Sequence, residues 1–303
     1  MKHENPAVSV IIVNYNNRAY LLKTLESLFQ DSEARGYEIF VVDNASDDDS
    51  VEAVQRNFPA VKVIVQLKNV GFAGANNLGA EQASGRYLLF LNNDTHVPEG
   101  TIGKLLQIKK NHPEYGIVAP LILYPDESFQ LSWGSDLHLH TEAFLKFFAE
   151  KWHRWRYGRK EGRMSRNVAW VSGACFVMER DLFRQVGGFD EKFFLYVEDA
   201  DLGRRVRRLG HKIHMTSDAR IIHYMGQSVA KMPGRALLEA KKSQLLYYCK
   251  HNNRWESAVL KRYLLLRFGL KRWLSRGQDE TETREICTGI IGMIKEFRCE
   301  DPF

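Results

Sequence analysis

The chain has 303 residues, 44% of them hydrophobic and 26% charged, a composition that fits a soluble globular protein and excludes disordered and fibrous classes. Its length suits one large α/β domain with an appendage, or two small domains; no run approaches the roughly 18 apolar residues of a membrane span, and Met1 to Pro6 lead straight into a strand with no signal-peptide core. The net charge of +6 is gathered in Lys151–Lys160 and Arg254–Arg276, where cations alternate with aromatics as either a solvated basic face or a surface for phosphates.

Along the chain, Val8–Tyr15 reads as a first strand, followed by a helix with Leu21, Leu22, Leu25 and Leu28 at helical spacing. Glu38–Asp43 is a second strand, and the polar turn after it caps a helix from about Val51 to Asn57. Val61–Leu67 is a third strand, a glycine-rich passage enters a short helix, and Tyr87–Leu91 is a fourth strand. Nearly continuous apolar strands separated by helices predict a mostly parallel α/β sheet covered on both faces. Beyond Ile117 the alternation fades. Trp170–Met178 reads as one strand, Arg180–Val186 as a helix ended by Gly187-Gly188, Glu198–Leu209 as another helix, and Lys212–Met215 as a strand; from Ala236 the pattern is helical. The expected division is a domain over 1–235, with halves of about 7–115 and 116–235, and a basic helical extension over 236–303. Cys175, Cys249, Cys287 and Cys299 have no CxxC spacing, so neither a disulfide framework nor a zinc site is expected, and a reducing cytoplasm is the simplest compartment.

The apolar run Leu88–Leu91 stops on Asn92-Asn93-Asp94. Asn92 and Asp94 share a strand face at the carboxyl end, where open α/β sheets bind ligands. Their oxygens suit a divalent cation that also takes ligands from a diphosphate; an Asx-rich turn is the alternative. Asp43 ends the second strand, as an acceptor for a nucleobase or ribose or as the start of an Asx-turn. A dinucleotide site would need GxGxxG after strand one, where this chain has Asn14-Tyr-Asn-Asn-Arg18. In Lys68–Gly79, small residues at 71, 73, 74 and 75 permit close backbone approach, the helix start offers N–H groups to an anion, and Lys68 adds a cation. Glu198, Asp199 and Asp201 crowd one helical turn, more acid than capping needs, and a carboxylate there suits a general base. His223 is either a core histidine or a ligand beside Asp94.

In this order the motifs resemble the family 2 glycosyltransferases of the GT-A fold, over roughly residues 7–230, closest to the rhamnosyltransferase-like branch. The resemblance implies that Asn14, Tyr15, Asn16, Asp43, Lys68, Asn69, Gly71, Phe72, Gly74, Asn77 and Asn93 bind a nucleoside-diphosphate sugar. It puts Asn92 and Asp94 at the family's metal-binding DxD, its first Asp being Asn here, with His223 joining the metal shell around Mg²⁺ or Mn²⁺. Trp170, Gly173, Ala174 and Glu198 fall on the acceptor side, and Asp199 is the catalytic base of an inverting displacement. The donor that best fits the branch is dTDP-rhamnose, with UDP-sugars as the alternative; the acceptor class is a cell-surface glycan, including one on a polyprenyl diphosphate. A sugar-nucleotide pyrophosphorylase would need a glycine-rich loop with Arg and Lys after strand one, and a non-catalytic glycan-binding module is the remaining reading. No nucleic-acid module accompanies the basic segments.

Outside the resemblance, Val259, Tyr263, Leu266, Leu270 and Trp273 recur at helical steps among seven Lys or Arg and one acid between Arg254 and Arg276. Such a helix either lies on an anionic membrane, making the protein peripheral on the inner face of the cell membrane, or packs on the catalytic domain or a second subunit as a homodimer.

Overall fold

The computed structural model describes residues 6–31, 36–140, 165–224, 233–275 and 281–299; the basic stretch Lys151–Lys160 lies outside them. Four strands, β1 (Val8–Asn14), β2 (Glu38–Asp43), β3 (Lys62–Val65) and β4 (Tyr87–Asn92), pair in parallel in the order β3-β2-β1-β4. Their continuous apolar runs have a direct cause. Val8, Val10, Ile12, Leu89 and Leu91 enter one core, while Ile11, Phe40, Val42, Leu88 and Phe90 enter another, so alternate residues feed the two faces of one sheet.

The helices α1 (Arg18–Phe29), α2 (Ser50–Asn57), α3 (Gly71–Gln82) and α4 (Thr101–Asn111) connect this half. The glycine-rich passage proves to be the helix itself, since α3 starts at Gly71. Small residues suit it because α3 lies close on the sheet: a Cβ at Gly79 would press into Ile11 and Val42 at 2.6 and 3.2 Å.

The second half of the sheet is mixed. Beside β4 lies β10 (Cys175–Glu179), antiparallel to it, then β6 (Tyr115–Leu123), β11 (Lys212–His223) and β5 (Thr95–His96), with β8 (Arg166–Val168) also on β11. The expected strand Trp170–Met178 is broken in two: β9 (Trp170–Val171) pairs in a separate ribbon with β7 (Trp133–Gly134), and β10 resumes at Cys175. β11 runs well past Met215 to His223, with a register shift between Thr216 and Arg220.

Two short helices follow β10, α5 (Arg180–Gln185) and α6 (Glu198–Arg208), and three close the chain, α7 (Pro233–His251), α8 (Arg254–Leu274) and α9 (Thr281–Glu296). These last three share a third core, in which Tyr247, Tyr248, Leu260, Leu264, Phe268 and Ile290 meet Phe193 and Ala200. Contrary to the cysteine reading, Cys249 and Cys299 form a disulfide with Cα atoms 5.5 Å apart, tying the chain beyond α9 to α7; Cys175 and Cys287 are free and buried.

Candidate active site

The carboxyl ends of β1, β2 and β4 carry a buried polar lattice. Asn14 donates to Asp43 Oδ1 at 3.1 Å and to Ser46 at 3.2 Å, and the Ser46 N–H donates to Asp43 Oδ2 at 2.9 Å. Asp43 is 1% exposed, so the Asx-turn describes its present contacts. Asn93 donates to Asn14 Oδ1 at 2.7 Å and accepts from Asn17, linking β4 to the turn after β1. Asn16 has a positive φ of 49° and accepts from the Asp47 N–H; Tyr15 beside it is half-buried.

The start of α3 is engaged within the protein. The Val70 N–H donates to Asn44, the Gly71 N–H to Asn69 Oδ1, and the Phe72 N–H to the carbonyl of Phe194 at 2.8 Å. These three amides therefore differ from the anion-ready N–H groups expected there, because side-chain and loop carbonyls reach them first. Gly71 has φ +82°, and a Cβ on it would strike the Phe194 carbonyl. Gly74 lies against Val70, and Lys68 stands exposed. Asn77 holds Phe189 through both backbone groups, each at 2.9 Å, so α3 positions the segment that leads to α6.

Asp94 and His223 come together through the sheet register. His223 pairs with Thr95 across the β11–β5 ladder, which puts its Nε2 at 3.0 Å from Asp94 Oδ1 and 3.2 Å from Asn92 Nδ2. On its other side Nδ1 lies 3.1 Å from Gln130 Oε1. An amide oxygen can only accept, so Nδ1 donates to Gln130 and Nε2 is the ring nitrogen that faces Asp94. Asp94 Oδ1 and His223 Nε2 thus meet at 3.0 Å with the Asn92 amide beside them, the residue types that a divalent cation takes as ligands. Gln130, in the loop after β6, carried no signal in the sequence.

The break between β9 and β10 belongs to the same place. The Asn92 N–H donates to the Ala174 carbonyl at 2.9 Å, and the Gly173 N–H donates to Asp199 Oδ2 at 3.1 Å. Gly173 leaves the ladder because its amide serves this carboxylate, and a Cβ there would meet the Phe72 ring at 3.1 Å. Trp170 donates from its indole to the Ser135 carbonyl at 2.8 Å.

A backbone turn aims the acids. Tyr196 and Val197 both have positive φ, 69° and 70°, which costs of order 1–3 kcal/mol at each and is tolerated where the surroundings over-determine it. α6 then begins at once with Glu198 and Asp199. Burial raises the Asp199 pKa to about 6, against hydrogen bonds from Gly173 and Ala200 that favour its charge. Glu198 is pushed well above the usual carboxylate range by burial and by the Asp199 charge, and its Oε2 has no hydrogen-bond partner among the described residues. Asp201 is pulled down to about 2: burial alone would raise it, but the His251 hydrogen bond and the charges of Arg205 and Lys250 prevail. Its contacts are Arg205 at 2.7 Å, Lys250 at 2.8 Å and His251 Nε2 at 2.7 Å. Burial lowers the His251 pKa, so His251 donates as a neutral imidazole. Rather than serving the helix end alone, Asp201 ties α6 to α7.

Residues 9–187 match the family described as Glycosyl transferase family 2. The chain belongs to glycosyl transferase family 2. It is 28% identical, over 87% of its length and 94% of the relative's, to N-acetylglucosaminyl-diphospho-decaprenol L-rhamnosyltransferase of Mycobacterium tuberculosis. Rhamnosyltransferase WbbL of Escherichia coli is 27% identical over 72% of this chain and 83% of its own. O-antigen biosynthesis protein RfbC of Myxococcus xanthus is 31% identical over 74% of this chain but only 18% of its own. Among solved structures, a mannosyltransferase from Pyrobaculum calidifontis in complex with GDP-Man and Mn²⁺ superposes with TM-score 0.57 at 16% identity, covering 97% of this chain and 88% of that one. GalNAc-T7 with UDP, GalNAc and Mn²⁺ gives 0.56 at 18% identity, covering 81% and 51%. The fold is therefore GT-A, and this family 2 member is a glycosyltransferase related to rhamnosyltransferases.

Proposed function

We propose that this glycosyltransferase moves rhamnose from dTDP-rhamnose to a hydroxyl of a polyprenyl-diphosphate-linked glycan, with inversion, at the cytoplasmic face of a membrane. The observation that carries the chemical part is the divergence of two adjacent carboxyls. At neutral pH Asp199, with a pKa of about 6, is mostly ionised, whereas burial and the Asp199 charge push Glu198 well above the ordinary carboxylate range. A general base must be ionised yet basic enough to accept a proton, and Asp199 meets both needs. It takes the proton from the acceptor hydroxyl as that oxygen forms a bond to the anomeric carbon and the bond to the nucleoside diphosphate breaks. Glu198, with an oxygen to spare, stands beside it on the acceptor side. Trp170, Gly173 and Ala174 line the acceptor side, and the Asn14–Asp43–Asn93 lattice with Lys68–Asn77 frames the nucleotide.

Asp94 and His223 fit a divalent cation, Mg²⁺ or Mn²⁺, with Asn92 beside them and Gln130 fixing the imidazole tautomer. When bound, that ion neutralises negative charge on the departing diphosphate. The chain's own contribution is to hold a carboxylate and an imidazole nitrogen toward one point. Sugar identity and acceptor rest on the rhamnosyltransferase relatives; a UDP-sugar donor is the second reading.

The test is a nucleotide-sugar screen with the full chain, by thermal stabilisation and by metal-dependent hydrolysis. Stabilisation by dTDP-rhamnose above UDP- and GDP-sugars, turnover abolished by EDTA and restored by Mn²⁺ or Mg²⁺, and turnover lost in a folded Asp94→Asn variant are the expected results. Full turnover in metal-free buffer removes the metal assignment, and preference for a UDP-sugar replaces the donor.

A further inference from the structure

α8 has two apolar sides. Leu260, Leu264 and Phe268 are buried in the core shared with α7 and α9. On the other side Trp255, Leu266, Leu270 and Leu274 are 69%, 74%, 58% and 64% exposed, and Tyr263 and Trp273 are more exposed than buried cores allow. Successive residues advance about 100° around a helix, which gathers Trp255, Val259, Leu266, Leu270 and Trp273 into one stripe facing away from the inward row. Arg262 borders the stripe on one flank and Arg267 on the other, both exposed. The one acid of α8, Glu256, is turned toward His138 at 3.4 Å. Single exposed leucines are ordinary, but a continuous apolar row rimmed by charge marks an interaction surface.

We propose that α8 lies in the interfacial plane of an anionic lipid bilayer, its Leu and Trp side chains among the upper acyl chains and its flanking cations against headgroup phosphates. Charge complementarity selects this occupant: the rim is cationic on both sides, as an anionic surface requires, whereas a second copy of α8 would bring like charges together. No helix among the described residues is long and apolar enough to cross a membrane, so the association is peripheral. The inward side of α8 shares its core with Ala200, next in sequence to Asp199, which sets the acid-bearing helix one packed layer from the bilayer. The inference does not use the donor or acceptor assigned above.

Sedimentation of the full chain with phosphatidylcholine vesicles, with and without phosphatidylglycerol and free of any glycolipid, is the test. Binding should require the anionic lipid and fall as salt rises. Leu266→Glu with Leu270→Glu should reduce the bound fraction at least tenfold at an unchanged melting temperature. Arg262→Gln with Arg267→Gln should weaken partition by about fivefold per cation. Absence of binding to anionic vesicles at low salt overturns the proposal. So does a drop in melting temperature in the glutamate variant, which would mean that the stripe packs on protein. A dimer in light scattering that the glutamate variant splits assigns the stripe to a second copy and overturns it equally.

Discussion

Glu198 and Asp199 differ by one methylene and one position, yet their carboxyls are held differently, Asp199 near 6 and Glu198 raised well above the ordinary carboxylate range. The cause is local: Asp199 accepts two backbone N–H bonds, from Gly173 and Ala200, while Glu198 is buried with an oxygen left over. The rising limb of turnover against pH should therefore fall near 6. Asp199→Asn should abolish that limb and lower turnover by about two to four orders of magnitude, with nucleotide affinity nearly unchanged. Stability should move the other way. A carboxyl whose folded pKa is raised favours the native state at low pH and opposes it once pH rises through 6, so Asp199→Asn should melt higher than the parent at pH 8. Glu198→Gln, which keeps a donor, should be milder than Glu198→Ala. A turnover profile flat from pH 5 to 8 in the parent, or a milder loss for Asp199→Asn than for Glu198→Gln, would assign the base elsewhere.

The helix carrying these acids is held by the third one. Asp201 has a folded pKa of about 2 against an ordinary 3.8; its stabilisation is fully present above 3.8 and is lost as pH falls toward 2, amounting to about 2 kcal/mol. Asp201→Asn leaves Arg205 without its counter-charge and Lys250 with Asp190 alone, and breaking a buried pair in this way costs roughly 3–5 kcal/mol. Chemical denaturation at pH 7 should show that loss, and the gap between variant and parent should narrow below pH 4. This element shows what the sequence exposed and what it hid. Three acids in four residues stood out in the sequence, but the different contacts that each makes were not legible, because they depend on Gly173, Lys250 and His251, which are distant in the chain. The Asp94–His223 pair was legible as two candidates at strand ends, whereas Gln130 was not, since a glutamine in a loop has no pattern of its own. The single strand expected over Trp170–Met178 failed for a related reason: its apolar run is continuous, but a carboxylate on α6 takes the Gly173 amide out of the ladder.

Across the molecule, the parallel half could be read because β1, β2 and β4 are buried on both faces, and the mixed half could not, because β6, β10 and β11 take their partners from distant segments. The helical tail was visible by its period, but its attachment was not. Besides the Asp201 contacts, Arg204 reaches the His251 carbonyl at 2.9 Å and Lys250 pairs with Asp190 at 2.6 Å. The Cys249–Cys299 bond closes a loop of 50 residues, for which chain-entropy reasoning gives about 4 kcal/mol and practice about 2–4 kcal/mol. Cys299→Ser should lower the melting temperature of the oxidised protein by several degrees, and dithiothreitol should lower the parent's to match. Equal melting of parent and variant under oxidising conditions would show that the bond contributes no stability.

The attachment of α7 to α6 bears on how such a protein can be divided or exchanged. The stretch matching the family ends at residue 187, before Asp199 and His223, and the anchors of Asp201 lie more than forty residues beyond it, at Lys250 and His251. A tail grafted from another transferase would bring its own side chains to those two positions, and any graft lacking a cation and a donor there would loosen the helix that presents Asp199, the proposed base. Specificity engineering by tail exchange therefore has to transfer Asp201, Lys250 and His251 as one inherited unit, with the seam cut inside the matched half rather than at the visible edge of the helical extension.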